Sequence, residues 1–297
     1  MHAVAVSFLV RSFVPSLALL LATSAPRGLD ARLAPFVAQA GEKAIGVAVV
    51  HVESGAALSL GQSAPMPLHS VFKLPLAFVV LEDVAAGRLE LDKAIRVEKK
   101  DLLPGAAENA ERWSNVPADF PLRELLRRLL VYSDNTSADK LLALVGGASQ
   151  LTKRLQARGV DGVEIRASVR EFRDARFHAN RATAMALAQF LVRLQKGELL
   201  PAAQNELLFD FMIHCESGVH RLRANLPAGT IADRTGTGND GATTNDVGVI
   251  TLPGGRGHVA IAVLVTASKK SFKEQEEIIA AIGRATYDAF AETAPTK

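Results

Sequence analysis

The sequence predicts a mixed α/β (α+β) fold. In it, an antiparallel sheet made from both chain ends is flanked by helices, and the middle of the chain forms an all-helical lobe. Three observations lead to this prediction. Residues typical of β-strands are concentrated between Ala44 and Leu60, helical periodicity dominates from Ser70 to about Ile213, and strand patterns return after Thr230. With 297 residues, the chain is long enough to bury a substantial core.

The individual elements follow in order along the chain. A turn at Glu53-Ser54-Gly55 divides residues 44–60 into a β-hairpin. Ser271 followed by Glu274 predicts a capping box at the start of the last helix. The predicted helices are Val71–Ala86, Leu122–Val131, Thr136–Val145, Ser149–Arg158, Arg181–Gln195, Pro201–Ile213 and Ser271–Phe290. The predicted C-terminal strands are Thr230–Thr237, Asp246–Leu252 and His258–Thr266.

This order of elements predicts two domains with a cleft between them. Residues 26–66 and 215–297 form the α/β domain, and residues 67–214 form the all-α domain. A cleft between two lobes is the natural place for a small-molecule site.

The first 25 residues have the pattern of a secretory signal peptide. An apolar run from Phe13 to Ala22 is followed by the small residues Thr23, Ser24 and Ala25. We expect cleavage after Ser24 or Ala25 and export to the periplasm or medium. The run is too short to span a membrane comfortably, and no later segment is long and apolar enough, so we expect no membrane association after removal of the signal.

Composition and charge argue against several classes of function. The net charge of +3 is small for this length, and the basic residues are scattered, so nucleic acid is not an expected partner. The single cysteine, Cys215, excludes an internal disulfide. The seven histidines show no metal-ligand spacing, so we expect neither a metal nor another cofactor.

Ser70-Val71-Phe72-Lys73 has the spacing of a nucleophile and its base. A hydroxyl and an amine three residues apart lie on one face of a helix, about one turn from each other. A desolvated lysine is one of the groups that can activate a serine hydroxyl. By itself, the pattern is also compatible with a surface serine and lysine on an ordinary helix.

Two further motifs carry polar side chains. Tyr132-Ser133-Asp134-Asn135 lies in a break between helices, where Ser133 can relay a proton and Asn135 can bind an amide, although a plain capping turn fits as well. Arg234-Thr235-Gly236-Thr237 lies on a predicted strand and offers a cation, hydroxyls and a backbone N–H to an anionic ligand, although an ordinary strand end is equally compatible.

Together, in this order, the three motifs resemble those of the penicillin-recognising serine enzymes, and their spacing resembles that of class A β-lactamases. The resemblance covers nearly the whole chain after the leader. Asp101-Leu102-Leu103-Pro104 and Cys215 before Ser217-Gly218 are similar to the extended-spectrum branch. The resemblance implies a β-lactamase/transpeptidase-like fold, a monomer and a small β-lactam as the binding partner.

The resemblance also implies a role for each motif residue. Ser70 is the acylated nucleophile, Lys73 is its proton acceptor, and Ser133 passes a proton to the lactam nitrogen. Asn135 is expected to contact the side-chain amide of the substrate, and the carboxylate is expected to bind to Arg234, Thr235, Gly236 and Thr237. The N–H groups of Ser70 and Thr237 are expected to form an oxyanion hole. Arg221 would add positive charge, and Trp113 would form a wall of the cleft. For Arg221 and Trp113, an ordinary ion pair and a packed ring are equally compatible with the sequence.

One departure from the family pattern affects the expected activity. Class A enzymes release the acyl group with a glutamate on a loop, and ungapped comparison places Val169 at that position. Valine can neither orient nor deprotonate water. A shift of the loop could offer Glu171 instead, and Glu164 is a more remote alternative.

Three functions therefore remain open. The first is a weak class A-like β-lactamase, a hydrolase of cyclic amide bonds with slow deacylation. The second is a penicillin-binding peptidase or amidase, and the third is a β-lactam-binding acyl trap without turnover.

Overall fold

The computed structural model describes residues 25–104, 111–173, 179–238 and 241–292. The predicted signal peptide lies outside these ranges, except for Ala25. Among the described residues, no helix is both long enough and apolar enough to cross a bilayer.

A five-stranded antiparallel sheet joins the two ends of the chain, as the sequence predicts. Its strand order is β2-β1-β10-β9-β8, so the C-terminal strands pair directly with the N-terminal hairpin. The central pairing of β1 with β10 sets Val49 opposite Ile261, and β8 pairs with β9 so that Arg234 lies opposite Val247. The strands of this sheet are β1 (Ile45–His51), β2 (Ala57–Gly61), β8 (Ile231–Thr237), β9 (Thr244–Thr251) and β10 (His258–Val265).

Both faces of this sheet are buried, which explains the nearly continuous apolar runs of its central strands. Along β1, Val47 and Val49 face one hydrophobic core, whereas Ala48 and Val50 face the other. The first core is closed by two helices, α1 (Leu29–Ala40) and α9 (Phe272–Glu292). The second core continues without interruption from the sheet into the helical middle of the chain.

The helical middle is organised around α2 (Lys73–Ala85), in which every residue from Lys73 to Leu81 is buried. A helix that is apolar on all sides belongs at the centre of a bundle, and α2 packs against several of its neighbours. The other helices are α3 (Leu122–Val131), α4 (Asn135–Leu144), α5 (Gly147–Ala157), α6 (Val169–Arg173), α7 (Ala184–Gln195) and α8 (Ala202–Ile213). Helix α7 packs directly on β1, β9 and β10 and so links the helical part to the sheet.

Several short elements complete the fold. They are the strands β3 (Met66–Pro67), β4 (Ala94–Val97), β5 (Ala118–Pro121), β6 (Val163–Glu164) and β7 (Arg181–Ala182), and the 3₁₀ turns His69–Phe72, Lys99–Asp101, Leu222–Asn225 and Pro253–Gly255. Strand β7 pairs with both β3 and β6, and β4 pairs with β5.

The sequence analysis did not predict α6 or the short strands β3 to β7, and Arg181–Ala182 form β7, whereas the sequence predicted that they start α7. Two further differences concern helices near the start of the chain. The first is α1, which the sequence analysis did not predict although its buried residues Leu29, Leu33 and Val37 recur at helical spacing. The second is the start of α2: residues 69–72 form a 3₁₀ turn, and the α-helix begins only at Lys73. Ser70 therefore lies in the tighter turn that leads into the helix.

Candidate active site

Ser70 and Lys73 lie together where the 3₁₀ turn leads into α2. The Nζ atom of Lys73 is 3.1 Å from Ser70 Oγ, which is hydrogen-bond distance. The preceding residue, His69, has a φ of 45°, a left-handed conformation that is uncommon for a residue other than glycine. The backbone is thus sharply turned immediately before the nucleophile candidate.

Lys73 is completely buried, and its side-chain nitrogen lies among several hydrogen-bond acceptors. Its Nζ lies 2.6 Å from the backbone oxygen of Ser133 and 2.7 Å from Asn135 Oδ1, and both of these atoms can only accept hydrogen bonds. A neutral amine has two N–H donors for these oxygens and keeps one lone pair, which can accept the Ser70 proton. Burial, followed by repulsion from Arg234, holds the pKa of Lys73 well below its ordinary value.

Ser133 projects from a strained turn between α3 and α4. Its φ of 57° is again left-handed, and Asp134 caps α4 by accepting from the backbone N–H of Ser137 at 2.6 Å. The other oxygen of Asp134 accepts from Trp113 Nε1 at 3.0 Å. Trp113 is only 5% exposed, so we propose that it supports this turn from behind and does not form a cleft wall.

Asn135 connects Lys73 to the opposite side of the site. Its Oδ1 accepts from Lys73, and its Nδ2 donates to the backbone oxygen of Pro104 at 2.9 Å. These two contacts determine the orientation of the amide, which leaves one N–H of Nδ2 for a ligand carbonyl.

Arg234 on β8 brings the nucleophile and the Ser133 turn together. Its guanidinium is fully buried, and it donates to the backbone oxygen of Ser70 at 3.2 Å and to Ser133 Oγ at 2.5 Å. Since the Ser133 hydroxyl accepts from Arg234, its own proton remains available for donation. The planar fork of arginine makes both contacts at once, which a lysine ammonium could do only with different geometry.

The strand β8 lies directly against the nucleophile segment. A Cβ atom added to Gly236 would lie 2.4 Å from the backbone oxygen of Leu68, so only glycine permits this approach. Thr235 Oγ1 lies 2.6 Å from Ser217 Oγ, and Thr237 is the exposed last residue of the strand. The hydroxyls and backbone of this strand thus line the site beside Ser70.

Arg221 is buried under the end of β8. Its Nη2 donates to Thr237 Oγ1 at 2.7 Å, its Nη1 donates to the backbone oxygens of Gly236 and Asn245, and its Nε pairs with Glu276 at 3.1 Å. Its guanidinium therefore holds the Thr237 hydroxyl directly.

The segment that begins α6 carries an apolar residue toward the interior. Val169 is 9% exposed and belongs to the second hydrophobic core. Its backbone N–H and that of Arg170 both donate to the carboxyl group of Asp139, at 2.7 and 3.0 Å. Burial raises the pKa of Asp139, and the two N–H donors partly oppose this shift.

Glu171 and Glu164, the two alternatives to the missing deacylation base, both have their carboxylates in contact with neighbouring residues. Glu171 accepts from the backbone N–H of Ser168 at 2.8 Å, which caps the start of α6, and its side chain is exposed. Glu164 forms an exposed ion pair with Arg166. Both contacts are made with residues close in sequence and leave the two carboxylates without a contact to Ser70 or Lys73 among the described hydrogen bonds.

The sequence analysis missed three polar residues of the site. Asp139 lies four residues after Asn135, on the same face of α4, and that spacing was a usable signal. Ser217 contacts both Arg234 and Thr235. Asn245 donates to the backbone oxygens of Pro67 and Leu68 and so anchors the nucleophile segment to β9, a contact that no local pattern predicts.

A sequence profile of the β-lactamase enzyme family matches residues 28–290. The chain belongs to this family. It is 32% identical to β-lactamase VEB-1 from Pseudomonas aeruginosa, over 83% of this chain and 85% of that protein. Identity to the extended-spectrum β-lactamase PER-1 from the same organism is also 32%, over 83% of each chain.

Solved structures show the same fold. A β-lactamase from Chitinophaga pinensis superposes with a TM-score of 0.83 at 34% identity, covering 89% of this chain and 99% of that one. The TLA-3 extended-spectrum β-lactamase gives a TM-score of 0.83 at 31% identity, with coverages of 89% and 99%. An ancestral class A β-lactamase gives 0.80 at 31% identity, covering 88% of this chain and 99% of that one. These findings confirm the class A family and the β-lactamase/transpeptidase-like fold.

Proposed function

We propose that this protein is a serine hydrolase that opens β-lactam rings through an acyl-enzyme on Ser70. The observation that carries the proposal is the contact between the buried amine of Lys73 and the Ser70 hydroxyl. The homologues named β-lactamases support the same substrate class.

Acylation uses the proton contacts around Lys73. The amine takes the proton of Ser70 as Oγ bonds to the lactam carbonyl carbon, and the negative charge on the carbonyl oxygen faces the N–H groups of Ser70 and Thr237. The C–N bond then breaks as Ser133 gives its proton to the lactam nitrogen. Lys73, whose Nζ is 3.2 Å from Ser133 Oγ, returns the proton to Ser133.

The substrate is held from the β8 side and the α4 side. Arg234 and the hydroxyls of Thr235 and Thr237 bind the carboxylate, and Arg221 stabilises Thr237 in its place. The remaining N–H of Asn135 binds the side-chain amide.

Deacylation is slow in this proposal. Val169 is packed in the core and cannot activate water, and Glu171 serves as a helix cap. The same observations favour a second candidate, an acyl trap that binds β-lactams without turnover. In either case we propose that the protein is exported and that it acts as a monomer on a small molecule. We also propose that residues 67–214 form one lobe beside the site and that residues 26–66 and 215–297 form the other.

The test is intact mass spectrometry combined with hydrolysis of a chromogenic cephalosporin. We expect the full mass of a penicillin to add at Ser70 and hydrolysis to show a burst followed by a slow phase. Absence of both an adduct and hydrolysis would contradict the whole site. A preference for cell-wall peptides would instead indicate a peptidase or amidase, and a burst without a slow phase would indicate a trap.

Val169→Glu tests the cause of slow deacylation. Ungapped comparison aligns this position with the deacylating glutamate of class A enzymes. General-base catalysis is typically worth about 10²–10⁴-fold, so the slow phase should accelerate. Val169→Gln is the matched control, since it is similar in size to glutamate but cannot accept a proton. Fast steady turnover by the unaltered protein would show that another group supplies the base.

A further inference from the structure

Asp139 connects the face of α4 that carries Asn135 with the segment that begins α6. It follows Asn135 by one helical turn, and side chains four residues apart on a helix have Cβ atoms about 5–6 Å from each other. The amide of Asn135 reaches the catalytic amine, since its Oδ1 lies 2.7 Å from Lys73 Nζ. Asp139 is therefore the next polar side chain on the helix face that contacts Lys73.

The same carboxyl group accepts hydrogen bonds from the start of α6. The backbone N–H of Val169 donates to Asp139 Oδ1 at 2.7 Å, and that of Arg170 donates to Oδ2 at 3.0 Å. Val169 is the residue that ungapped comparison aligns with the deacylating glutamate of class A enzymes. A carboxylate thus contacts the backbone at this position although the side chain there is apolar. Each oxygen of a carboxylate has a second lone pair, so Asp139 can also accept from a water molecule.

Two carboxylates influence the charge state of Lys73. Burial and the charge of Arg234 lower the pKa of Lys73, and the charges of Asp134 and Asp139 oppose this shift. Asp134 is buried, and both of its oxygens already accept from the N–H donors of the Ser133 turn. Asp139 is partly exposed, so it is the one of the two that water can reach.

We propose that Asp139 is the general base of deacylation in this protein and activates the water that hydrolyses the acyl-enzyme on Ser70. The inference rests on the proposed function. Burial raises the pKa of Asp139, which makes it a stronger base than an exposed aspartate. Because two of its lone pairs are already engaged by N–H groups, we expect it to act more slowly than a glutamate without such contacts.

The proposed step returns every group to its starting state. Asp139 takes a proton from water as the water oxygen bonds to the ester carbonyl carbon. The bond between that carbon and Ser70 Oγ then breaks. The proton passes from Asp139 to Ser70 Oγ by way of the Lys73 amine, whose Nζ is 3.1 Å from Oγ. The released acid loses its own proton to solvent.

The test measures deacylation separately from acylation. The protein is acylated with a penicillin, the excess is removed, and decay of the adduct is followed by intact mass spectrometry. Asp139→Asn should slow this decay about 100-fold, since general acid–base catalysis is typically worth about 10²–10⁴-fold. Acylation should be nearly unchanged, because loss of the negative charge favours the neutral amine of Lys73. Glu171→Gln, which alters an exposed carboxylate of the same segment, is the matched control and should leave the decay unchanged.

The pH dependence separates a base from a residue that only positions α6. Only the ionised carboxylate accepts a proton, so the decay of the unaltered protein should accelerate with pH through the pKa of Asp139 and then level off. The charges of Arg170 on α6 and Lys73 on α2 act on Asp139 and are kept in every variant. Asp139→Asn should lack the acceleration with pH, and Asp139→Glu, which keeps a carboxylate, should retain it.

Two results would overturn the proposal while acylation at Ser70 stands. One is decay in Asp139→Asn that matches the unaltered protein or keeps its acceleration with pH, which would show that Asp139 does not act as the base. The other is an adduct of the unaltered protein that never decays. If the unaltered protein forms no adduct, the proposed function itself fails. Thermal unfolding midpoints establish that the variants are folded, and Asp139→Ser, which keeps one oxygen for the N–H groups, serves if Asp139→Asn is not.

Discussion

The proposed mechanism predicts an acylation rate that rises with pH, and we call this rise the acid limb of the pH–rate profile. Replacing Arg234 by glutamine should move this acid limb to higher pH. Arg234 and Lys73 are both fully buried, and their side-chain nitrogens lie 2.5 and 3.2 Å from Ser133 Oγ. The two nitrogens are therefore within about 6 Å of each other, where two positive charges at an effective dielectric constant of about 20 repel by roughly 3 kcal/mol. Glutamine removes this repulsion and so raises the pKa of Lys73.

The direction of the shift follows from the role of the amine. Only neutral Lys73 can accept the Ser70 proton, so the acylation rate rises with pH through the pKa of Lys73 and then levels off. The assay is the acylation rate constant at saturating cephalosporin, measured from low pH to about pH 10, near the ordinary pKa of lysine. The position of the limb is compared and not its height, because Arg234→Gln also weakens carboxylate binding.

Arg234→Lys is the matched control. It keeps the positive charge and loses the planar fork, so its limb should stay close to that of the unaltered protein even if its maximal rate falls. A limb that does not move in Arg234→Gln, or that moves to lower pH, would refute the argument that the guanidinium helps to keep Lys73 neutral.

Two more predictions concern the supports of the site. Gly236→Ala forces a Cβ atom against the Leu68 backbone oxygen, so we expect a lower unfolding midpoint and at least about tenfold slower acylation, and unchanged acylation would contradict the close packing of β8. Asp139→Asn tests a raised carboxyl pKa. Asp139 binds its proton more tightly in the folded protein than in the unfolded chain, where its pKa is about 4. Its contribution to the free energy of unfolding is therefore fully present below the unfolded pKa and is lost as pH rises through the folded pKa. Urea unfolding should show this decline only with aspartate, and parallel pH profiles for both proteins would contradict the assignment.

Much of the fold could be predicted from local pattern. Periodicity located α3 to α5, α7 and α8 to within about three residues, because each of them buries one face or the whole of its surface in the bundle. The capping box of Ser271 and Glu274 is confirmed by reciprocal hydrogen bonds at the start of α9. The short strands β3 to β7 have two to four residues each, too few to give a periodic signal.

The candidate site could also be predicted only in part. The three motifs identify which residues come together, since Lys73, Ser133 and Arg234 all meet within hydrogen-bond distance. What Val169 contacts could not be predicted. Its partner Asp139 is thirty residues away in sequence, and only the packing of α6 against α4 joins them.

The sequence by itself determined the family and the order of the main strands and helices, because these depend on residue types at close spacing. The tertiary structure decided the burial of Lys73 and of Val169. Both depend on how completely other segments exclude water from a side chain, and this is a property of long-range packing that no local pattern of residues contains.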